Sequence, residues 1–294
     1  MSLPPVYLVD ASVYLFRSWF SMPDDFVNGA GEPTNAVYGF TGFLCGLLEQ
    51  TGSEHVAVAF DVSLTTGFRN EIYPEYKANR DPAPEELKRQ FGWARSVAEA
   101  MGLACFSDPR YEADDVIGTL AHYWKRRGHP VCVVTADKDL AQLVREDDYW
   151  WDFSRNQKLD ARQLTEKFGV TPEQMADYLA LTGDAVDNIP GIPGIGPKTA
   201  AALLRVFGDL DGIYERIEEV PSMKIRGAAS LHAKLQAHRD AAELARRLTV
   251  IETAVESALA SPDLTRSEKD TAAINRLFDE LSFGGMLRQR CLRA

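Results

Sequence analysis

Three apolar, β-branched runs in this chain each end in an aspartate: VYLVD at residues 6–10, AVAFD at 57–61 and VCVVTAD at 131–137. Helical patterns at 36–49, 85–101 and 114–127 lie among them, the last closed by Gly128. Alternating strand and helix signals predict an α/β fold, a central mostly parallel sheet flanked by helices in the Rossmann-like manner. Residues 103–106 and 149–153 read as further strands. Open parallel sheets carry their functional crevice outside the carboxyl ends of the strands. An acid after an apolar run is also a common turn signal, so one such residue decides little. Three on neighbouring strands, Asp10, Asp61 and Asp137 (with Asp139 just beyond), predict an acidic crevice.

Two more clusters extend it. Glu112, Asp114 and Asp115 open the third helix, with Glu112 and Asp115 on one face at i, i+3. Acids favour helix N-termini through the macrodipole, which accounts for one or two of them more readily than for three. Asp184 and Asp187 repeat the spacing just before a Gly/Pro-rich hairpin, where the plainer reading is a loop or an N-cap. Nine carboxylates in one cleft cannot all ionise without compensation, because each raises its neighbours' pKa. The ligands are hard oxygens and no histidine falls in these motifs, so Mg²⁺ or Mn²⁺ is expected rather than Zn²⁺.

The 294 residues carry a net charge of −11, which by itself argues against a polyanionic partner. Setting the nine carboxylates aside leaves the rest at −2, and that objection falls. An aromatic content of 10% excludes disorder. The longest apolar stretch, 37–48, is too short to span a bilayer, and no charged segment followed by an apolar run opens the chain, so no membrane association or secretion is expected. Four scattered cysteines without a CxxC pair suit a reducing, cytoplasmic setting.

From about residue 171 the pattern turns helical, with stretches at 172–181 and 198–207 around the hairpin 191–198. The division expected is 1–170 for the α/β core and 171–294 for a helical subdomain. In the hairpin, Pro197 separates Gly196 from Lys198, so it is no Walker loop. It reads as a helix–hairpin–helix in which Gly191, Gly194 and Gly196 let backbone approach phosphate and Lys198 adds charge, or as a plain turn between helices. After the second strand, Arg69, Lys77 and Arg80 could meet phosphates and Tyr76 could stack on a base. Composition alone favours a solvated loop; the position beside Asp61 favours the site.

The ordered set LVDAS, FD with FR, EYKANR, EADDVIGTLA, TADKDLAQLV and LTGDAVDNIPGIPGIGPKTA resembles the 5′-nuclease module of bacterial DNA polymerase I and the standalone flap endonucleases. The likeness runs from residue 6 to a last helix expected near 278–290. It implies a PIN-like nuclease core with a helical arch near 66–95, its base at 69–80, and a C-terminal helix–hairpin–helix subdomain. By motif, Asp10, Asp61, Glu112, Asp114 and Asp115 would form one metal group, and Asp137, Asp139, Asp184 and Asp187 a second. The backbone carbonyls of Leu181, Thr182, Pro190, Ile192 and Ile195 would hold K⁺. The activity implied is divalent-metal-dependent cleavage of phosphodiesters at 5′ flaps and 5′ ends by a monomer, on DNA that is RNA-primed in some settings. Asp61, Lys77 and Arg80 would act at the chemistry, in the cytoplasm at the nucleoid. A non-catalytic structure-specific DNA-binding protein of the same fold is the alternative; buried carboxylates without a metal would be costly to it. A small-molecule phosphohydrolase is the second, and the arch and hairpin would serve it nothing.

Overall fold

The structure is a computed structural model and describes residues 3–62, 67–225 and 227–294. The first half runs β1 (Val6–Asp10), α1 (Ala11–Ser21), α2 (Asn35–Thr51), β2 (Val56–Ala59), the single turn α3 (Phe68–Ile72), α4 (Glu85–Ala100), β3 (Ala104–Phe106), α5 (Ala113–Lys125), β4 (Val131–Val134), β5 (Tyr149–Asp152) and β6 (Gln157–Leu159). The strands form one sheet in the order β3-β2-β1-β4-β5-β6. The first five are parallel and β6 pairs antiparallel with β5.

Period-two alternation divides the strands between two apolar layers. Tyr7, Val9, Val56, Val58, Cys132 and Val134 face α1, α2 and α4. Val6, Leu8, Ala57, Ala59, Val131 and Val133 face α5 and α12 (Glu256–Ala260). Both faces are covered, which is why these strands read as unbroken apolar runs. Each buried Val or Leu contributes about 2 kcal/mol of transfer free energy toward fixing the register.

The rest of the chain is helical: α6 (Ala161–Phe168), α7 (Met175–Thr182), α8 (Pro197–Phe207), α9 (Leu210–Glu215), α10 (Ala228–Ala237) and α11 (Arg239–Thr249), then α12, α13 (Thr271–Glu280) and α14 (Gly285–Arg293). Ile189, Ile192 and Ile195 of the hairpin share a core with Leu179, Leu203, Leu204 and Phe207. Ile274, Phe278, Leu287 and Cys291 return to the layer formed by α2 and α4.

Several expectations are corrected. The last helix is two helices, α13 and α14, parted by a break that ends in Gly284. A 3₁₀ turn, Pro172–Gln174, precedes α7. Within the described part of 66–95 the second half is α4, whose Leu87 and Ala94 are wholly buried. Buried Gln90 ties α4 down further, its Oε1 accepting the Val37 N–H at 3.0 Å. The start of that segment, Thr66, lies outside the described residues. Among those residues no helix is long and apolar enough to cross a membrane.

Candidate metal centre and nucleic-acid interface

β1 lies between β2 and β4, where the strand order reverses, so its carboxyl end opens on the crevice of the sheet. Asp10 ends β1 and N-caps α1, one carboxylate oxygen accepting the Val13 N–H and the other the Thr135 hydroxyl at 2.9 Å. Asp61 follows β2; it accepts the Ala113 N–H at 2.8 Å and the Ser12 hydroxyl, linking the starts of α5 and α1. Asp137 follows β4 and accepts the Asp139 N–H at 2.8 Å. Glu112 and Asp115 form a capping box at the start of α5. An antiparallel bridge between Asp184 and Ile189 closes the loop that presents Asp184 and Asp187.

Their electrostatics show that these acids share one space. Burial, then repulsion from Asp61 and Asp137, pushes Asp10 up from 3.8 to about 7. Burial and the neighbouring Asp137 take Asp139 to about 7. Asp61, Asp114 and Asp137 are raised too, burial leading in each; for Asp114 repulsion from Asp137, Asp10 and Glu112 adds to it. Glu112 and Asp184 are lowered. Burial pushes both upward, but Lys77 and Arg69 outweigh it at Glu112 and Lys138 does so at Asp184.

Cationic side chains thread the cluster. Lys77 Nζ lies 2.7 Å from Glu112 and 3.7 Å from Asp187. Lys138 Nζ pairs with Asp184 and lies 3.2 Å from Asp139 Oδ1. Arg80 pairs with Asp187 and is a third exposed. It borders a groove of about 750 Å³ lined also by Phe16, Asp61, Val62 and Phe91.

Three residues differ from expectation. Arg69 is 3% exposed and makes no surface for phosphate: its guanidinium forks onto Asp115 at 2.7 and 2.8 Å and donates to the Leu248 and Val250 carbonyls. Tyr76 is 4% exposed and cannot stack on a base; its hydroxyl lies 3.1 Å from Glu112 and 3.2 Å from Asp187. Asp115 is fully buried, and its two oxygens accept both Arg69 bonds and the Glu112 and Glu252 N–H groups. With four acceptor positions used, it has none left for a metal. The capping reading holds for Asp115, which anchors the cluster from behind. Sequence reasoning passed over Thr135, Ser12 and Lys138; a small hydroxyl beside each strand-end acid was the available signal for the first two.

The remaining eight carboxylates fit a hard divalent cation. They crowd together and offer only oxygen donors, Asp10 and Asp184 buried and the other six half-buried, and Asp139 Oδ1 is buried without a hydrogen bond. Among the described residues no three acids form a ready cage; Lys77 and Lys138 stand between them.

In the hairpin, Gly183 (φ +73°) and Gly191 lie back to back: a Cβ on Gly191 would sit 2.3 Å from the Thr182 carbonyl carbon. Of the carbonyls considered for K⁺, those of Leu181 and Ile192 each already accept one backbone N–H, at 2.9 Å; a second lone pair is left on each. Gly194 has φ +82°, whereas Gly196 is extended and opens on free space at the N-terminus of α8, with Lys198 exposed beside it.

Comparison with known proteins adds the following. Residues 5–169 match the 5′-3′ exonuclease N-terminal resolvase-like domain, and residues 170–272 the 5′-3′ exonuclease C-terminal SAM fold. DNA polymerase I of Pseudomonas aeruginosa is 41% identical over 288 residues, covering 98% of this chain and 31% of that protein. DNA polymerase I of Mycobacterium leprae is 38% identical over 297 residues, 99% of this chain and 32% of that one. The chain thus spans about a third of the length of these curated relatives. Among solved structures, the T5 5′-exonuclease with bound zinc aligns at TM-score 0.69 and 21% identity, covering 98% of this chain and 97% of that one. The catalytic core of Rad2 in complex with DNA substrate aligns at 0.65 and 15%, covering 98% and 91%. Likeness at this identity speaks for the fold.

Proposed function

The chain belongs to the 5′-3′ exonuclease family, and we propose that it is a metal-dependent nuclease that cuts DNA at the junction of duplex and 5′ single strand. In this reading it removes 5′ flaps endonucleolytically and trims recessed 5′ ends, including RNA-primed ones, during replication and repair. It works as a monomer in the cytoplasm, at the nucleoid. The observation that carries the reading is the gathering of eight buried or half-buried carboxylates delivered by β1, β2, β4, α5 and the 184–188 loop, one with an unbonded buried oxygen.

Asp10, Asp61, Glu112 and Asp114 would hold one Mg²⁺ (or Mn²⁺), and Asp137, Asp139, Asp184 and Asp187 another. Such ions, when bound, supply an activated water and offset charge on the leaving oxygen. The chain's own residues do the rest. Arg80 reaches the groove beside Asp61 and neutralises charge that builds on the scissile phosphate, and Lys77, between Glu112 and Asp187, acts with it. Ser12 and Thr135 fix the rotamers of Asp61 and Asp10. Backbone N–H groups at the start of α8, with Lys198, grip duplex phosphates without reading sequence. K⁺ on the carbonyls of Leu181, Thr182, Pro190, Ile192 and Ile195 would complete that grip.

The test is to incubate a 5′-flap duplex with the chain and Mg²⁺ and map both product ends. Cuts clustered within a nucleotide or two of the junction support the proposal. Binding without any cut would support the non-catalytic alternative, and cleavage scattered along single strands would refute structure specificity.

A further inference from the structure

The 184–188 loop meets the nuclease core through neutral hydrogen bonds from Asn79 and Asn188 and through cations. Lys77 spans Glu112 and Asp187, and Lys138 spans Asp139 and Asp184. The two lysines are nevertheless unlike. Lys77 is mostly buried, its N–H bonded to the Asp187 carbonyl at 3.0 Å, and at φ +57° its backbone is held in the left-handed region. The Lys138 side chain is 41% exposed, so its long stem can swing into solvent.

Lys138 therefore offers a mobile positive charge to two acids delivered by separate segments. One oxygen of Asp184 is already fixed by the Val186 N–H at 2.8 Å, and the other takes the ammonium. Asp139 Oδ1 is buried and lacks a hydrogen bond, with the ammonium 3.2 Å away. A divalent ion on these acids has to displace that ammonium, since two cations cannot share the space between them.

We propose that Lys138 is a tethered counter-ion that competes with the second divalent cation for Asp139 and Asp184, and so sets the concentration at which that cation binds. The proposal rests on the metal reading above and adds a positioning residue to it. When little free metal is present the ammonium keeps the two acids paired. When metal is abundant the ammonium leaves to solvent and the acids stay in register.

The test titrates the whole chain with Mn²⁺ alone at neutral pH by calorimetry, with urea melts to establish folding. Wild type is expected to show a tighter and a weaker site. Removing the competing charge in Lys138→Gln should tighten the weaker site by about tenfold, the size of effect a neighbouring charge exerts on a carboxylate, and leave the tighter one alone. Lys138→Arg, which keeps the charge, should stay near wild type. Lys138→Ala gives a second reading of the same effect, so failure of one variant to fold does not end the test. An unchanged or weakened second site in a folded Gln or Ala variant overturns the proposal while the metal reading stands. A wild-type chain that takes up no Mn²⁺ overturns both.

Discussion

Replacing Arg69 with methionine separates a structural clamp from a phosphate-binding surface residue. The guanidinium is 3% exposed and its donors are fully engaged: Nε to the Leu248 carbonyl at 2.8 Å, the two terminal nitrogens to Asp115 at 2.7 and 2.8 Å, one of them also to the Val250 carbonyl at 3.1 Å and the other to Glu112 at 3.4 Å. Methionine fills much of the volume but leaves the Asp115 carboxylate buried with only the Glu112 and Glu252 N–H groups. It also strips two carbonyls at the end of α11 of a donor. Breaking a buried pair from one side costs about 3–5 kcal/mol, a large share of the roughly 5–15 kcal/mol available to a domain. Urea unfolding followed by circular dichroism should show that loss. Lysine should recover only part of it, since it cannot fork onto a carboxylate. A folded Arg69→Met chain that loses less than about 0.5 kcal/mol, the range of ordinary surface changes, while losing DNA affinity, would refute the burial argument and restore the phosphate role.

Other outcomes follow from the same geometry. Asp10 and Asp139 have folded pKa values raised from 3.8 to about 7, so between those values the native state binds more protons than the unfolded one. Metal-free stability should therefore fall as pH rises through that window, by up to about 4 kcal/mol per carboxylate, and melts in EDTA across the window would show it. Mg²⁺ should restore stability mainly at the upper end. Asp61→Ala should abolish most cleavage yet leave flap affinity, read by anisotropy in Ca²⁺, nearly intact. Lys77→Met should slow single-turnover cleavage by about 10²–10³-fold; wild-type turnover would leave Lys77 only the structural role of pairing Glu112 with Asp187. Gly196→Leu, placed where the backbone is extended and space is open, should weaken duplex binding alike for every sequence and spare short single strands. Equal losses on both substrates would mean a damaged fold.

What the sequence disclosed follows from which physical signals are local. Strand runs ending in Asp10, Asp61 and Asp137 are legible because both faces of the sheet are covered, so every position is apolar until the crevice begins. The helix end signalled by Gly128 is legible for a local reason too, a left-handed φ of +85° that glycine tolerates. α1 was passed over because its Tyr, Phe and Trp residues carry little helix propensity, and β6 because three residues give no period. Arg69 and Tyr76 look like surface residues in a polar stretch. Their burial depends on Asp115, Glu112 and the end of α11, far away in sequence, and nothing within the stretch signals it. Asp115 illustrates the converse: an acid beside metal-type acids is used up by a capping box and an arginine.

The central claim is that the carboxylates at the strand ends hold divalent ions that the chemistry needs. It is tested most directly by single-turnover cleavage of one 5′-flap duplex after EDTA treatment, repeated with Mg²⁺, Mn²⁺ or Ca²⁺ added back, with binding measured in parallel. The account predicts no cleavage in EDTA, recovery with Mg²⁺ or Mn²⁺, and with Ca²⁺ binding but no cut, since Ca²⁺ accepts looser and longer coordination. Cleavage at the full rate in metal-free buffer would contradict it.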